Sequence, residues 1–494
     1  MRTWGTLTAV CLGTFMLLLD VSIAVVALPD MAGALHASLS DLQWVMDGYA
    51  LALAALLLGV GAAADILGRR RVHVVGVVVF AAASLACGLA GGPTALVTAR
   101  VVQGLGAAAM FATTLPIIGA VYQGRQRSAA LGVFGAVSGG AAAIGPVLGG
   151  LLTEGPGWRW IFWVNLPVSV AAVWLTLRYV PESRGPKERR IDWAGTAAFA
   201  AFAGAATYGV IRAGERGWGE RGALVSFLVA AVALGCFVGV ERRSAHPMLD
   251  LGLLRRPAFV GVMVGAFAFN AAAFGVLPYT SLWLQTLLGM SPVHGGLVFL
   301  SLSGASMVVA IAGGKLLHGV PARITVGGGL VLIGVGACCQ AVLGAGSTWT
   351  ALVPGLVLAG IGVGLVSPGI AGAALATVEP ARAGMAGGSL NTFRQLGYAL
   401  GIAAFGTVLI SRMQDTLPRG AAHALAGGGA DGLRGQVAER ALRTAFAQGL
   451  NSASVLAGCV AIVSGFLVLV LVRSPKTPVV EPTTPPKKPV SAPR

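Results

Sequence analysis

The chain has 494 residues, of which 56% are hydrophobic and only 11% charged, yet its formal net charge is +16. So apolar a composition excludes an ordinary soluble domain and a disordered chain. It also removes the nucleic-acid footprint that the charge alone suggests, because the cations sit at the edges of apolar stretches, where they serve topology and anionic headgroups.

Fourteen apolar stretches are long enough to cross a bilayer core of about 30 Å, which takes roughly 20 helical residues. They are predicted at 6–29, 44–65, 72–91, 95–121, 128–152, 160–180, 192–213, 222–241, 258–280, 293–316, 323–345, 349–376, 386–410 and 450–473. The first follows Arg2 but is too long for a secretory leader and is expected to be retained. Alternate connections hold Arg2, Arg69 to Arg71, Arg125, Arg127, the run from Arg178 to Arg190, Arg242 to Arg256, Lys315, Arg323, Arg382 and the tail. They account for 23 of the 34 lysines and arginines, which predicts that both termini are cytoplasmic.

Charged breaks after spans six and eight divide the chain as six, two and six. The predicted domains are a bundle over 1–180, a linker with two added helices over 181–257, a second bundle over 258–474 and a disordered cytoplasmic tail over 475–494. An extracytoplasmic loop over 411–449 is expected to hold a short amphipathic helix from Leu433 to Phe446. Gln103 to Gly106 in span four has a counterpart in Ala359 to Gly362 of span twelve, the weak internal symmetry of a transporter built from repeats. The expected fold is all-α integral membrane, two six-helix bundles related by a pseudo-twofold axis.

Polar residues inside the spans are the functional candidates, because a carboxylate at mid-membrane costs about 2.5–3.5 kcal/mol on insertion scales. Asp20 stands nine residues, or about 13 Å, ahead of Pro29 and cannot reach the interface. Arg100, a permanent cation in span four, needs a carboxylate, carbonyls or water, and Asp20 and Asp47 are its candidate partners, with Gln103 on the same face. Ser40 and Gln43 read as a capping box that starts helix two near Asp41, leaving Asp47 to serve either the helix dipole or substrate and proton binding. Arg394 in span thirteen meets either substrate or a backbone carbonyl. Trp283, Phe274, Tyr279 and Phe393 line a cavity or face lipid.

The motif Gly61-Ala-Ala-Ala-Asp65-Ile66-Leu-Gly68-Arg69-Arg70-Arg71 resembles the loop 2–3 signature of the major facilitator superfamily. Arg100-Val-Val-Gln103-Gly104-Leu-Gly106 resembles its helix-four arginine motif, and Gly132 with Gly145-Pro146-Val-Leu-Gly149-Gly150 its antiporter motif. Leu19-Asp20 to Leu28-Pro29, Trp158 to Pro167 and Arg394 to Gly397 are similar to the fourteen-helix drug:proton antiporter branch. The resemblance implies proton coupling at Arg100 and gating by Asp65 and Arg69. It also implies exchange against protons through the kinked, glycine-rich span five. Two positions depart from the pattern: Ile66, where arginine is frequent, so that Arg70 or Arg71 compensates or the latch is weaker, and Ala141, where glycine is usual.

Other classes lack their chemistry. No GxxxxGK[ST] phosphate loop is present, the six histidines are scattered, and the six cysteines lie within predicted spans without a metal pattern. The expectation is a non-enzymatic, cofactor-free and metal-free multi-pass protein of a bacterial cell membrane, functioning as a monomer. It would export hydrophobic or amphiphilic drugs, antibiotics or a toxic metabolite by drug:proton antiport, with membrane lipids and protons as partners and no nucleic acid. Export of a biosynthetic metabolite or lipid without strict antiport, and a transporter-like sensor, are the alternatives. The 29 arginines against 5 lysines suggest a high-GC bacterium.

Overall fold

The computed structural model describes residues 2–185, 191–244, 247–316, 320–379 and 383–472. The proposed tail, Lys187 to Arg190 and Arg382 lie outside the described residues.

Fourteen membrane-length helices follow one another: α1 (Trp4–Leu35), α2 (Leu39–Leu67), α3 (Arg69–Gly88), α4 (Pro93–Val121), α5 (Ala129–Glu154), α6 (Trp160–Tyr179), α7 (Trp193–Arg216), α8 (Arg221–Arg243), α9 (Pro257–Leu287), α10 (Pro292–Gly313), α11 (Ala322–Cys339), α12 (Trp349–Ala376), α13 (Gly384–Met413) and α14 (Glu439–Leu471). Among the described residues there is no strand. In lipid every backbone polar group must be paired within its own segment, and a helix is the single-chain solution.

The pairing of the first six helices recurs in the last six. Helix α1 packs on α5 and α6, α4 on α2 and α3, and α3 on α6; correspondingly α9 packs on α13 and α14, α12 on α10 and α11, and α11 on α14. The aligned glycines of α4 and α12 do the same work in each. A Cβ at Gly104 would meet Tyr49 O at 2.6 Å on α2, and one at Gly106 would meet Gly76 O at 2.8 Å on α3. Gly360 and Gly362 are as tightly set against Leu302 on α10 and Gly329 on α11. Without a hydrophobic drive between helices in lipid, such close backbone approach supplies the packing energy. The two units meet where α2 packs on α13 and α5 on α10, while α7 and α8 pair with each other and α7 rests against both α2 and α13.

Several boundaries differ from the sequence reading. Helix α1 continues through Pro29 to Leu35, since one missing hydrogen bond is tolerated in a membrane helix whose neighbours support it. Helix α2 starts at Leu39, not near Asp41: the capping box is Ser38 with Asp41, whose carboxylate accepts from Ser38 N at 2.9 Å, and Ser40 and Gln43 form none. Leu433 to Phe446 is not a separate amphipathic helix, because α14 begins at Glu439 and runs unbroken into the membrane span. An Arg443 to Glu439 ion pair at 2.9 Å reinforces its first turn. The preceding segment instead contains a helix at Arg419–Ala426, with Leu425 buried; Gly427 and Gly428 carry the chain close over Ala37, Leu39 and Thr286. Burial of a leucine there contributes about 1.5–3 kcal/mol, enough to hold the segment across the ends of α1, α2 and α9.

Candidate functional site

Five of the first six helices converge on one buried polar network. Arg100 of α4 and Asp20 of α1 form an ion pair with side chains essentially inaccessible to solvent. The same guanidinium donates to Val45 O of α2 at 3.0 Å and to Gln103 Oε1 at 2.7 Å. Gln103 in turn donates to Asp20 Oδ1 at 2.8 Å and to Ser84 Oγ of α3 at 2.8 Å, and Asn165 of α6 donates to Asp20 Oδ1 at 3.1 Å. The Arg100 guanidinium lies over the Tyr49 ring, 4.5 Å from its centroid. Two desolvated charges are stable in such surroundings only when their remaining hydrogen-bonding capacity is filled, which Gln103, Asn165 and the Val45 carbonyl do. Arg100 Nη2 and the Tyr49 hydroxyl have no hydrogen-bond partner among the described residues.

Asp47 does not join the network. It is fully buried on α2, and neither carboxylate oxygen has a hydrogen-bond partner among the described residues. Its charge reaches Tyr279 of α9 and Tyr398 of α13. One turn earlier on the same helix, Gln43 donates to Tyr279 Oη at 2.9 Å and to Ile402 O of α13 at 3.2 Å, while the Tyr279 hydroxyl donates to the same carbonyl. A small cavity lies beside this contact, between Leu28, Met46, Pro278 and Leu282. Asp47 therefore sits where α2 faces α9 and α13, not at the dipole-stabilised start of its helix. Tyr279 and Trp283 are buried within the protein, Trp283 against Phe446, so neither faces lipid.

Arg394 of α13 is half-buried. It donates to Asn270 Oδ1 of α9 at 3.2 Å, with its guanidinium 5.2 Å from the centre of the Phe269 ring, and no carboxylate pairs with it among the described residues. Its partner is thus a side-chain amide where a backbone carbonyl was one expectation.

The loop 2–3 motif folds back on its own unit. Arg69 pairs with Asp65 at 2.9 Å and its backbone N–H donates to Ser183 O at 2.9 Å. Glu182, just after α6, accepts from Arg70 N at 3.0 Å and lies 3.9 and 3.8 Å from the Arg70 and Arg71 guanidinium nitrogens. Gly68 is required by its backbone, with φ at +113° and the Glu182 carboxylate against it. A Cβ at Gly61 would make ordinary contact with Ala112 of α4, 3.9 Å away, so this position does not require glycine.

Helix α5 divides sharply along its length. At Gly145 a Cβ would overlap Ser22 of α1, at Gly149 it would meet Ile23 Cα at 3.0 Å, and at Gly150 Pro292 O of α10 at 2.6 Å. At Gly132, Gly135, Gly139 and Gly140 it would meet nothing within 4 Å. Pro146 marks the boundary, and Ala141, where glycine was expected, is fully buried. Toward the end that carries the 414–438 segment α5 is packed tightly against α1 and α10, whereas toward the arginine-rich end its glycines meet no neighbour within 4 Å. Gly150→Val is expected to force α5 away from α10 and to lower stability by the ~1–3 kcal/mol cost of overpacking, whereas Gly132→Ala should change stability by less than about 0.5 kcal/mol. Thermal unfolding of each purified variant in detergent checks the contrast.

Sequence reasoning placed Gln103 on the face of Arg100 and offered Asp20 or Asp47 as the partner of that cation, gave no role to Ser84 and Asn165, and used Gln43 only as a cap. Their signal was polarity at mid-span, which by itself does not say which helix is met.

Fourteen membrane-length helices around a buried ion pair and a second, unpaired buried acid define a polytopic membrane protein with ionisable groups in its interior. The chain matches the model of the Major Facilitator Superfamily over residues 10–402 and belongs to that family. It is a multi-pass protein of the bacterial cell membrane. It is 37% identical to the multidrug resistance protein Stp of Mycobacterium tuberculosis over 420 residues, 83% of this chain and 77% of that one. It is 35% identical to the probable actinorhodin transporter of Streptomyces coelicolor (82% and 72%) and 32% identical to the tetracenomycin C resistance and export protein of Streptomyces glaucescens (84% and 78%). Among solved structures, a bacterial homologue of the human lysosomal transporter Spinster shares the fold with a TM-score of 0.66 at 17% identity, covering 95% of this chain and 97% of that one.

Proposed function

We propose that the protein exports hydrophobic or amphiphilic drugs or antibiotics, or a toxic metabolite, across the cytoplasmic membrane in exchange for protons, by alternating access. Helices α1–α6 and α9–α14 act as two rocking bundles, both termini face the cytoplasm, and the parting along α5 is the cytoplasmic entrance. Substrate enters from the cytoplasm or the inner leaflet with an acidic group deprotonated. Rocking opens the seam outward, where protonation displaces the substrate and resets the protein. Because proton and substrate bind reciprocally, each weakens the other by the same factor, and that coupling drives export.

Asp47 is the observation that carries the proposal. An isolated carboxylate is so costly away from water that it takes up a proton, a cation or a counter-charge. Asp47 has no hydrogen-bond partner among the described residues and sits at the seam that must open, whereas Asp20 is neutralised by Arg100. Arg100 and Gln103 set the electrostatic background, and Arg394 with Asn270 offers polar contact to substrate. Asp65, Arg69 and Arg70 act as the cytoplasmic gate.

Proton release on adding a panel of lipophilic antibiotics and dyes to purified protein in weak buffer tests the exchange. Release matched to binding is expected. Binding without release would overturn antiport and favour export of a biosynthetic product without strict proton exchange, which the names of the Streptomyces relatives make the second reading.

A further inference from the structure

The geometry points to a proton-binding site made by Asp192 and Glu241, at the base of the α7–α8 hairpin and apart from the transport site. Asp192 caps α7: its Oδ1 accepts from Gly195 N at 2.7 Å and its carbonyl from Thr196 Oγ1 at 2.8 Å. Glu241, in the last turn of α8, is 4% exposed and its Oε2 accepts from Leu249 N at 3.2 Å. The other two oxygens, Asp192 Oδ2 and Glu241 Oε1, have no partner. Both lie beside Gly195: a Cβ there would stand 3.0 Å from the first and 2.9 Å from the second, which puts the two oxygens within about 6 Å of each other. The absence of a side chain at residue 195 is what lets the two carboxyl groups converge.

No cation among the described residues neutralises them. Arg242 and Arg243 on α8 are exposed and pair with neither. Arg256, at the start of α9, donates to Thr377 O, and Asp250 caps Gly252 N at 2.8 Å. On α2, Asp65 holds Arg69. Lys187, Glu188, Arg189, Arg190 and His246 lie outside the described residues. Two carboxylates that share a buried site cannot both ionise cheaply and keep one proton between them.

The site is mechanically placed. Thr196, beside Asp192, packs on Gly59 of α2, and Asp250 N donates to Met385 Sδ of α13 at 3.4 Å. The shared proton holds the hairpin base and the 247–252 connection against α2 and α13, the two helices whose seam moves; its loss sets two negative charges against each other and opens the base.

Amide exchange of the protein in nanodiscs, without substrate and corrected for intrinsic rates, reads this directly. As pH rises through the range in which the shared proton is lost, protection of residues 193–196 and 248–252 is expected to fall by up to about tenfold per pH unit, the linkage of one proton, and then to level off once both carboxyl groups are ionised. In Glu241→Gln, and separately in Asp192→Asn, which retains a capping oxygen, protection should be high and independent of pH. Wild-type protection that does not change with pH would overturn the site, as would variants that titrate like wild type. Protection that follows sodium or potassium instead of pH would overturn it in favour of an alkali-cation site. The outcome is independent of whether substrate binding releases protons.

Discussion

Arg100→Ala is expected to abolish export and to destabilise the purified protein by about 3–5 kcal/mol, the cost of breaking a buried pair and leaving one charge uncompensated. The loss is larger than for a surface pair because the Asp20 carboxylate would keep only the amides of Gln103 and Asn165. Thermal unfolding in detergent, followed by tryptophan fluorescence, checks the stability, and efflux in cells the activity. The double variant Asp20→Asn with Arg100→Gln removes both charges while keeping polar groups of similar size. It should recover at least half of the lost stability and none of the transport. Recovery of transport would reduce the pair to a tether between α1 and α4.

Asp47→Asn should behave in the opposite sense. A carboxyl without a partner gains nothing from its charge, so removing that charge is expected to leave thermal stability unchanged or to raise it by about 1 kcal/mol. Substrate binding should persist within tenfold, while proton release on binding and proton-driven export are lost. Measured beside Asp20→Asn in the same assay, it separates the two acids. Release that disappears in Asp47→Asn and persists in Asp20→Asn names the seam acid as the coupling group; the reverse names the Arg100 pair. A fall in stability of several kcal/mol in Asp47→Asn would mean that the carboxylate has a structural partner in the membrane, and would remove it from the coupling scheme.

The stability contrast follows from satisfaction of polar groups, not from burial as such. Asp20 and Asp47 are equally inaccessible, but Asp20 is held by charge and by two amides from different helices, and Asp47 by nothing. The first is costly to remove and the second costly to keep. A protein retains a costly group where function uses it.

Fourteen helices were legible from length and hydropathy, because a bilayer sets a strict scale on apolar segments. Arg100 and Asp20 were legible as candidates, because ionisable residues inside such segments are expensive wherever they point. Helix ends were less so. The start of α2 turned on which serine caps it, Ser38 or Ser40, a matter of one backbone geometry. Helix α14 runs unbroken from Glu439, and its first turns bury Phe446 against Trp283, a contact between distant segments that no local pattern announces.

Partnership was decided by tertiary structure alone. Asp20 and Asp47 were equal candidates for Arg100 in the sequence, and only the packing of α1 on α4 gave the guanidinium to Asp20 and left Asp47 at the seam. Nothing local marked Asp192 and Glu241 as neighbours, since they lie in different helices and meet only when α7 and α8 pair. The lipid-facing pattern of single helices is a property of each segment and is written in it. The direction in which a polar side chain points depends on which helices come to lie beside it, and that is settled by small-residue packing between segments hundreds of residues apart.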